Sequence, residues 1–174
     1  MSNAIAVFAS ARRNGNTGKF IDWIADELRI DVIDLSQKEI SPYDYNHENM
    51  ADDFLPLMRK LIDYETLIFV TPIYWYGPGA QMKVFIDRTS DFLDIEALNA
   101  IGRRLRGKAA YIVCTSIHND ADDSFINSLK DTFEYLGMNY SGYVHANCEH
   151  GYEKENYLND VNRFVSAVRD SVCV

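Results

Sequence analysis

Positive charge is short in this sequence: 17 Lys and Arg stand against 26 Asp and Glu, a formal net charge of -9. A chain that holds nucleic acid by its phosphates needs the opposite field, so no nucleic-acid partner is expected. The one basic cluster, Arg103, Arg104, Arg106 and Lys108, precedes an apolar run and reads as a solvated turn. Cysteine is scarce too. Cys114, Cys148 and Cys173 are odd in number and form no C-x-x-C pair, which speaks against a disulfide framework and a ribbon-type zinc site; a reducing cytoplasm is the expected setting. Long apolar runs are missing: LIFVTPIYWYGPGA is broken by Pro and Gly well before the roughly 20 residues that span a bilayer, so no membrane is expected. The triplet Ala9, Ser10, Ala11 looks like a processing site, but no Lys or Arg precedes it, and the apolar run before it is shorter than an export signal's core of about 7 to 15 residues.

What is present is a core. At 174 residues and 47% hydrophobic, the chain suits one domain over residues 1–174. Apolar runs of strand length alternate with segments of helical spacing. AIAVFA is followed by Thr17 to Arg29, where Phe20, Trp23, Ile24 and Leu28 share a face. IDVIDL leads through a polar loop, SQKEISPYDYNHENMADD, to a helix presenting Phe54, Leu57, Met58, Leu61 and Ile62, with Pro56 confined to its first turn. TLIFVT precedes a helix in QMKVFIDRTSDFL, whose inward face is Met82, Phe85, Ile86, Thr89 and Leu93. KAAYIVCTS precedes a helix from about Asp123 to Leu136, with Phe125, Leu129, Phe133 and Leu136 inward. MNYSGYVHA precedes a last helix presenting Leu158, Val161, Phe164, Val165 and Val168.

Five βα units with strands too apolar to face water predict an α/β fold, a parallel sheet covered by helices on both faces. Right-handed crossovers favour the strand order 2-1-3-4-5. The topological switch then lies between strands one and three, and ligands bind at the loops leaving their carboxyl ends. Those loops are SARRNGNT and TPIYWYGPG.

The first loop ends at a helix N-terminus, where unpaired N–H groups and the positive dipole end suit a phosphate dianion. Ser10, Asn16 and Thr17 add donors, Gly15 permits close approach, and Arg12 supplies charge-assisted hydrogen bonds. The alternative is an ordinary turn in which Asn16 or Thr17 caps the helix. No G-K-[ST] follows at Walker spacing and G-x-G-x-x-G is absent, which disfavours ATP and a Rossmann-bound dinucleotide. In the second loop, Tyr74, Trp75 and Tyr76 cannot all enter one core; a flat aromatic ligand accounts for them, as does an interface patch. In HANCEH, His145, Cys148 and His150 are metal-capable types, but strand alternation separates His145 from the others and a fourth ligand is not evident, so no metal is assigned.

Together these segments resemble the NADPH-dependent FMN reductase family of flavodoxin-like flavoproteins. The most specific stretch is TPIYWYGPGAQMKVFIDR after the third strand, and the resemblance covers essentially the whole chain. It implies a flavodoxin-like three-layer sandwich with FMN as cofactor, NADH or NADPH as hydride donor, and a small-molecule electron acceptor of quinone, flavin, azo or nitroaromatic type. A homodimer is implied as well. By the resemblance Ser10, Arg12, Asn16 and Thr17 hold the FMN phosphate; Pro72, Ile73, Tyr74 and Trp75 line the isoalloxazine ring; Thr115 and Ser116 complete the pocket. His118 could reach the flavin from the same loop, although a surface loop histidine is the more ordinary reading, and Asp120, Asp122 and Asp123 read as turn and cap residues. No catalytic residue is required, because the cofactor carries the chemistry. Two departures stand out. The loop 36–53 has no cysteine, which excludes the iron-sulfur site some relatives carry there, and Gly77-Pro78-Gly79 replaces serine-containing versions. The alternatives are a flavodoxin-like electron carrier, whose acidic charge steers basic partners, and a flavin-binding regulator; direct oxidation of NAD(P)H separates them from the enzyme.

Overall fold

The first strand, β1 (Ala4–Phe8), is buried at every residue, so an apolar run with no polar alternation becomes a central strand. In the computed structural model, residues 3–172 are described; Cys173 lies outside the described residues. After β1 come α1 (Asn16–Leu28), β2 (Val32–Asp34), α2 (Phe54–Leu61) and β3 (Thr66–Tyr74). A two-residue strand, β4 (Gly77–Pro78), precedes α3 (Ala80–Asp87) and the short helices α4 (Asp91–Asp94) and α5 (Asn99–Arg103). The chain continues with β5 (Ala109–Ser116), α6 (Asp123–Tyr135), β6 (Asn139–Asn147) and α7 (Leu158–Val172).

The sheet order is β2-β1-β3-β5-β6, all parallel, with β4 pairing antiparallel to β3. Setting β4 aside, this is the flavodoxin-like order read from the sequence. One face packs α1 and α7 through Phe20, Ile21, Ile24, Val161, Phe164 and Val168. The other packs α2, α3 and α6 through Phe54, Met58, Met82, Phe85, Phe125 and Phe133. Each such fully buried side chain contributes roughly 1.5–3 kcal/mol relative to exposure. Pro56 falls in the first turn of α2, where its missing N–H costs nothing.

Several expectations need correction. The third strand runs three residues beyond TLIFVT, to Tyr74, because it folds back on β4 as a hairpin. Leu93 is 53% exposed and Phe92 is buried in its place: a 3-10 turn at Arg88–Ser90 breaks the 3.6-residue period. Leu158 is 46% exposed, at the first position of α7. The edge strands also face water more than the sequence suggested: β2 is half-buried throughout, and β6 is exposed over much of its first half.

Lys108 and Arg104 do more than decorate a turn. The Lys108 stem is buried and its ammonium donates to the Tyr64 carbonyl at 2.6 Å. Arg104 pairs with Asp63 at 2.8 Å. Among the described residues no helix is long and apolar enough to cross a membrane.

Candidate functional site

The loop from β1 to α1 treats its two arginines differently. Arg13 is tied down: it ion-pairs with Asp22, approaches Asp34 at 3.9 Å, and its guanidinium lies 5.0 Å from the centre of the Phe8 ring. Its backbone sits on Gly18, where a Cβ would come 1.7 Å from the Arg13 carbonyl oxygen, so only glycine lets the loop fold over the helix start. Arg12 beside it is exposed and pairs with no acidic side chain among the described residues. Gly15 caps α1 without a side-chain hydrogen bond, and no acidic residue lies in the first turn. The first amides of a 13-residue helix therefore point at the loop without side-chain capping, next to a free guanidinium. The alternative in which Asn16 or Thr17 caps the helix does not occur; both lie inside it.

The second wall is the β3–β4 hairpin. Tyr74 pairs with Gly77, so Trp75 and Tyr76 form a two-residue turn, and both have positive φ, 49° and 64°. Such turns favour Asn-Gly, and a bulky residue in the left-handed region costs on the order of 1–3 kcal/mol. The strain holds three aromatic side chains outward: Trp75 is 96% exposed, Tyr76 60% and Tyr74 49%. Thr71 braces the hairpin, its hydroxyl accepting from Gly79 N–H at 2.8 Å. The Gly77-Pro78-Gly79 segment thus serves as the returning strand and the cap of α3.

The third wall is the end of β5. Thr115 and Thr17, both buried, share a hydroxyl hydrogen bond of 2.6 Å, which clamps the start of α1 to β5. Ser116 Oγ accepts from His118 N–H at 3.0 Å and lies 2.8 Å from His145 Nε2. Burial lowers the His145 pKa, with Asp120 opposing and His118 reinforcing the shift. Asp122 caps α6, and the Ser124 hydroxyl and N–H hold its carboxyl below the usual range.

These three walls enclose one cleft of about 550 Å³. Ser10, Arg12, Asn16 and Thr17 from the β1–α1 segment, Pro72, Ile73, Tyr74 and Trp75 from the end of β3 and its hairpin, and Thr115 and Ser116 from the end of β5 all line it. Tyr76, placed by the sequence in the aromatic loop but not among the ring-lining residues, also lines it, as do Ile117, Asp122 and Cys148, which sequence reasoning did not assign to the site. His118, for which the sequence left a surface position and a reach to the flavin both open, is exposed and lies on the cleft wall. Cys148 arrives because its N–H donates to the Ser116 carbonyl at 2.7 Å, a contact no local pattern announces. Burial pushes its thiol up to about 11, so it is neutral at ordinary pH. His150 is exposed and 4.0 Å from Glu149, while His145 is engaged with Ser116. The cleft suits a phosphorylated planar heterocycle: an amide nest and a free cation at one end, an aromatic wall along its length.

The family model described as NADPH-dependent FMN reductase matches residues 2–153. YwqN of Bacillus subtilis, named for NAD(P)H-dependent, FMN-containing oxidoreductase activity, is 28% identical over 141 residues, spanning 76% of this chain and 78% of its own. Among solved structures, the flavoenzyme FerB, an NAD(P)H:acceptor oxidoreductase of Paracoccus denitrificans, superposes with a TM-score of 0.73 at 18% identity, covering 99% of this chain and 97% of its own. An FMN-dependent NADH-azoreductase of Bacillus anthracis, solved with FMN, gives a TM-score of 0.66 at 12% identity, covering 97% and 98%. At these identities the two structures speak for the fold. Fold, cleft and family model agree: the chain belongs to the NADPH-dependent FMN reductase family, enzymes that use FMN as cofactor and a reduced nicotinamide as electron donor.

Proposed function

We propose that this protein uses FMN in the cleft to pass electrons from NADH or NADPH to a small quinone, flavin, azo or nitroaromatic acceptor, the whole chain forming one FMN-binding unit. The observation that carries the reading is Arg12, unpaired among the described residues, beside the α1 N-terminus in the lining of an aromatic-walled cleft. Bound FMN supplies a carrier that takes hydride from a nicotinamide and hands electrons on. The chain's own residues bind and orient. Arg12, Ser10, Asn16 and Thr17 hold the phosphate through charge-assisted and amide hydrogen bonds. Pro72, Ile73, Tyr74 and Trp75 lie along the ring, and the Thr17–Thr115 clamp keeps the two ends in register. Thr115 and Ser116 close the floor. The exposed Trp75 and Tyr76 at the cleft mouth support a homodimer that covers them, and sedimentation at micromolar concentration tests it.

Anaerobic titration of the FMN-loaded protein with NADH and then NADPH, followed by visible absorbance, tests the function. Prompt bleaching by one of them is the expected result and identifies the donor. A flavin that stays oxidised until dithionite is added overturns the enzymatic reading in favour of an electron carrier, a role the net charge of -9 also suits.

A further inference from the structure

A second depression flanks the FMN cleft at the open edge of the sheet. It measures about 480 Å³ and is bounded by β6, the β5–α6 loop and α7. One side chain connects the two. His145 lines the edge depression, and its Nε2 lies 2.8 Å from Ser116 Oγ, which lines the FMN cleft. This contact depends on an irregularity in β6. The register slips between Ala110/Tyr140 and Tyr111/Gly142, leaving Ser141 unpaired, with Gly142 at φ 126°. The slip sets His145 opposite Cys114, on the same side of the strand as Ser116. Without the extra residue His145 would stand opposite Thr115 and point to the other face.

We propose that His145 and Ser116 form a proton route from the edge depression into the FMN cleft, serving the reduction of the acceptor. The inference rests on the FMN reading above. Two-electron reduction of a quinone or azo acceptor takes up one hydride and one proton: NAD(P)H, H⁺ and acceptor give NAD(P)⁺ and the dihydro acceptor. The route supplies the proton. Ser116 Oγ–H passes its proton to the acceptor heteroatom while protonated His145 Nε2–H passes one to Ser116 Oγ. The hydroxyl is regenerated, the imidazole is left neutral, and water in the edge depression reprotonates it. His118 N–H, donating to Ser116 Oγ at 3.0 Å, takes one lone pair and so orients the hydroxyl.

The groups facing His145 set its working range. Asp120 and His118 act on it from the β5–α6 loop, while Tyr143 of its own strand and Tyr157, Asp160 and Arg163 of the C-terminal segment line the same depression. Burial keeps the imidazole neutral over more of the pH scale than an ordinary histidine. Negative charge gained in the FMN cleft on reduction draws a proton onto it, and the same lowered pKa makes the protonated ring a ready donor.

His145 acts through Ser116 and not on the acceptor itself, so the test must read more than rate. The midpoint potential of the FMN-loaded protein is measured against pH for wild type, His145→Gln, Ser116→Ala and His118→Gln, with FMN affinity measured alongside. The wild-type line should steepen between the His145 pKa values of the oxidised and reduced states. His145→Gln should lose that steep segment and His118→Gln should keep it. Ser116→Ala should keep it too, while acceptor reduction slows about 10²-fold and Ser116→Thr restores it. An imidazole NMR titration of wild type, which needs no variant, should show the His145 pKa rising on reduction. A segment that survives His145→Gln, or vanishes in His118→Gln, overturns the route, as does an undiminished rate in Ser116→Ala. Failure of wild type to bind FMN would instead bring down the reading of the cleft, and the route with it; tight FMN binding with no steep segment brings down the route alone.

Discussion

Two loops leave the carboxyl edge of this sheet side by side, and they use arginine in opposite ways. The loop 36–53 after β2 is knitted to α3 and α4 by Arg88, whose side chain is 0% exposed. Arg88 pairs with Asp91 at 2.8 Å and with Asp52, donates to the Ser41 carbonyl, and lies over the Phe54 ring. His47 and Tyr43 extend the network through Asp91 and Asp94. In the loop after β1, Arg13 is spent in the same manner while Arg12 meets no carboxylate among the described residues. The contrast teaches that charge alone does not mark a site. A charge matched within the protein builds scaffold, whereas a charge left unmatched beside uncapped amides stays free to meet a ligand.

The largest break in this contrast is Arg88→Ala. It leaves the wholly buried Asp91 and the nearly buried Asp52 without their cation, so denaturant unfolding should show a loss of about 3–5 kcal/mol. FMN affinity of the folded protein should hardly change. A smaller effect is expected at the clamp between Thr17 and Thr115. Thr115→Val strands one buried hydroxyl and should cost about 1–3 kcal/mol, whereas Thr17→Val with Thr115→Val removes both partners and should recover most of it. Equal losses in the single and double variants would mean the pair is not a clamp.

The smallest effect is electrostatic. Asp122 caps α6 with its carboxyl held low, first by the Ser124 hydroxyl and then by its N–H. A depressed folded pKa contributes stability above the ordinary carboxylate range, and that contribution is lost as pH falls through the folded value. The melting temperature of wild type should therefore drop more steeply than that of Asp122→Asn below about pH 4. Parallel profiles would remove Asp122 from the account.

Much of the fold is legible in the sequence because central parallel strands are apolar on both sides, as in AIAVFA and TLIFVT, and the helices carry one apolar stripe each. The edges are less so, since β2 and β6 are only half covered and mix polar with apolar residues. The β3–β4 hairpin was hidden because Trp75-Tyr76 carries no turn signature; the Tyr74–Gly77 pairing and the positive φ values reveal it. The scaffold role of Arg88 was hidden as well, because its partner Asp52 lies 36 residues away and nothing local joins them. For the cleft, the switch-point rule brought the two unusual loops together, and the ten residues named from the sequence do line one cavity. Cys148 and the His145–Ser116 contact escaped because both depend on the register of β6 against β5.

The central claim is that Arg12 and the α1 amides are held in reserve for the FMN phosphate. Equilibrium titration of the apo-protein with FMN and with riboflavin, which lacks the phosphate, tests it most directly, in wild type and in Arg12→Ala. The account predicts that wild type prefers FMN strongly, and that Arg12→Ala weakens FMN by about 10- to 100-fold while leaving riboflavin unchanged. Equal affinity of wild type for the two flavins, or equal weakening of both by Arg12→Ala, would contradict it.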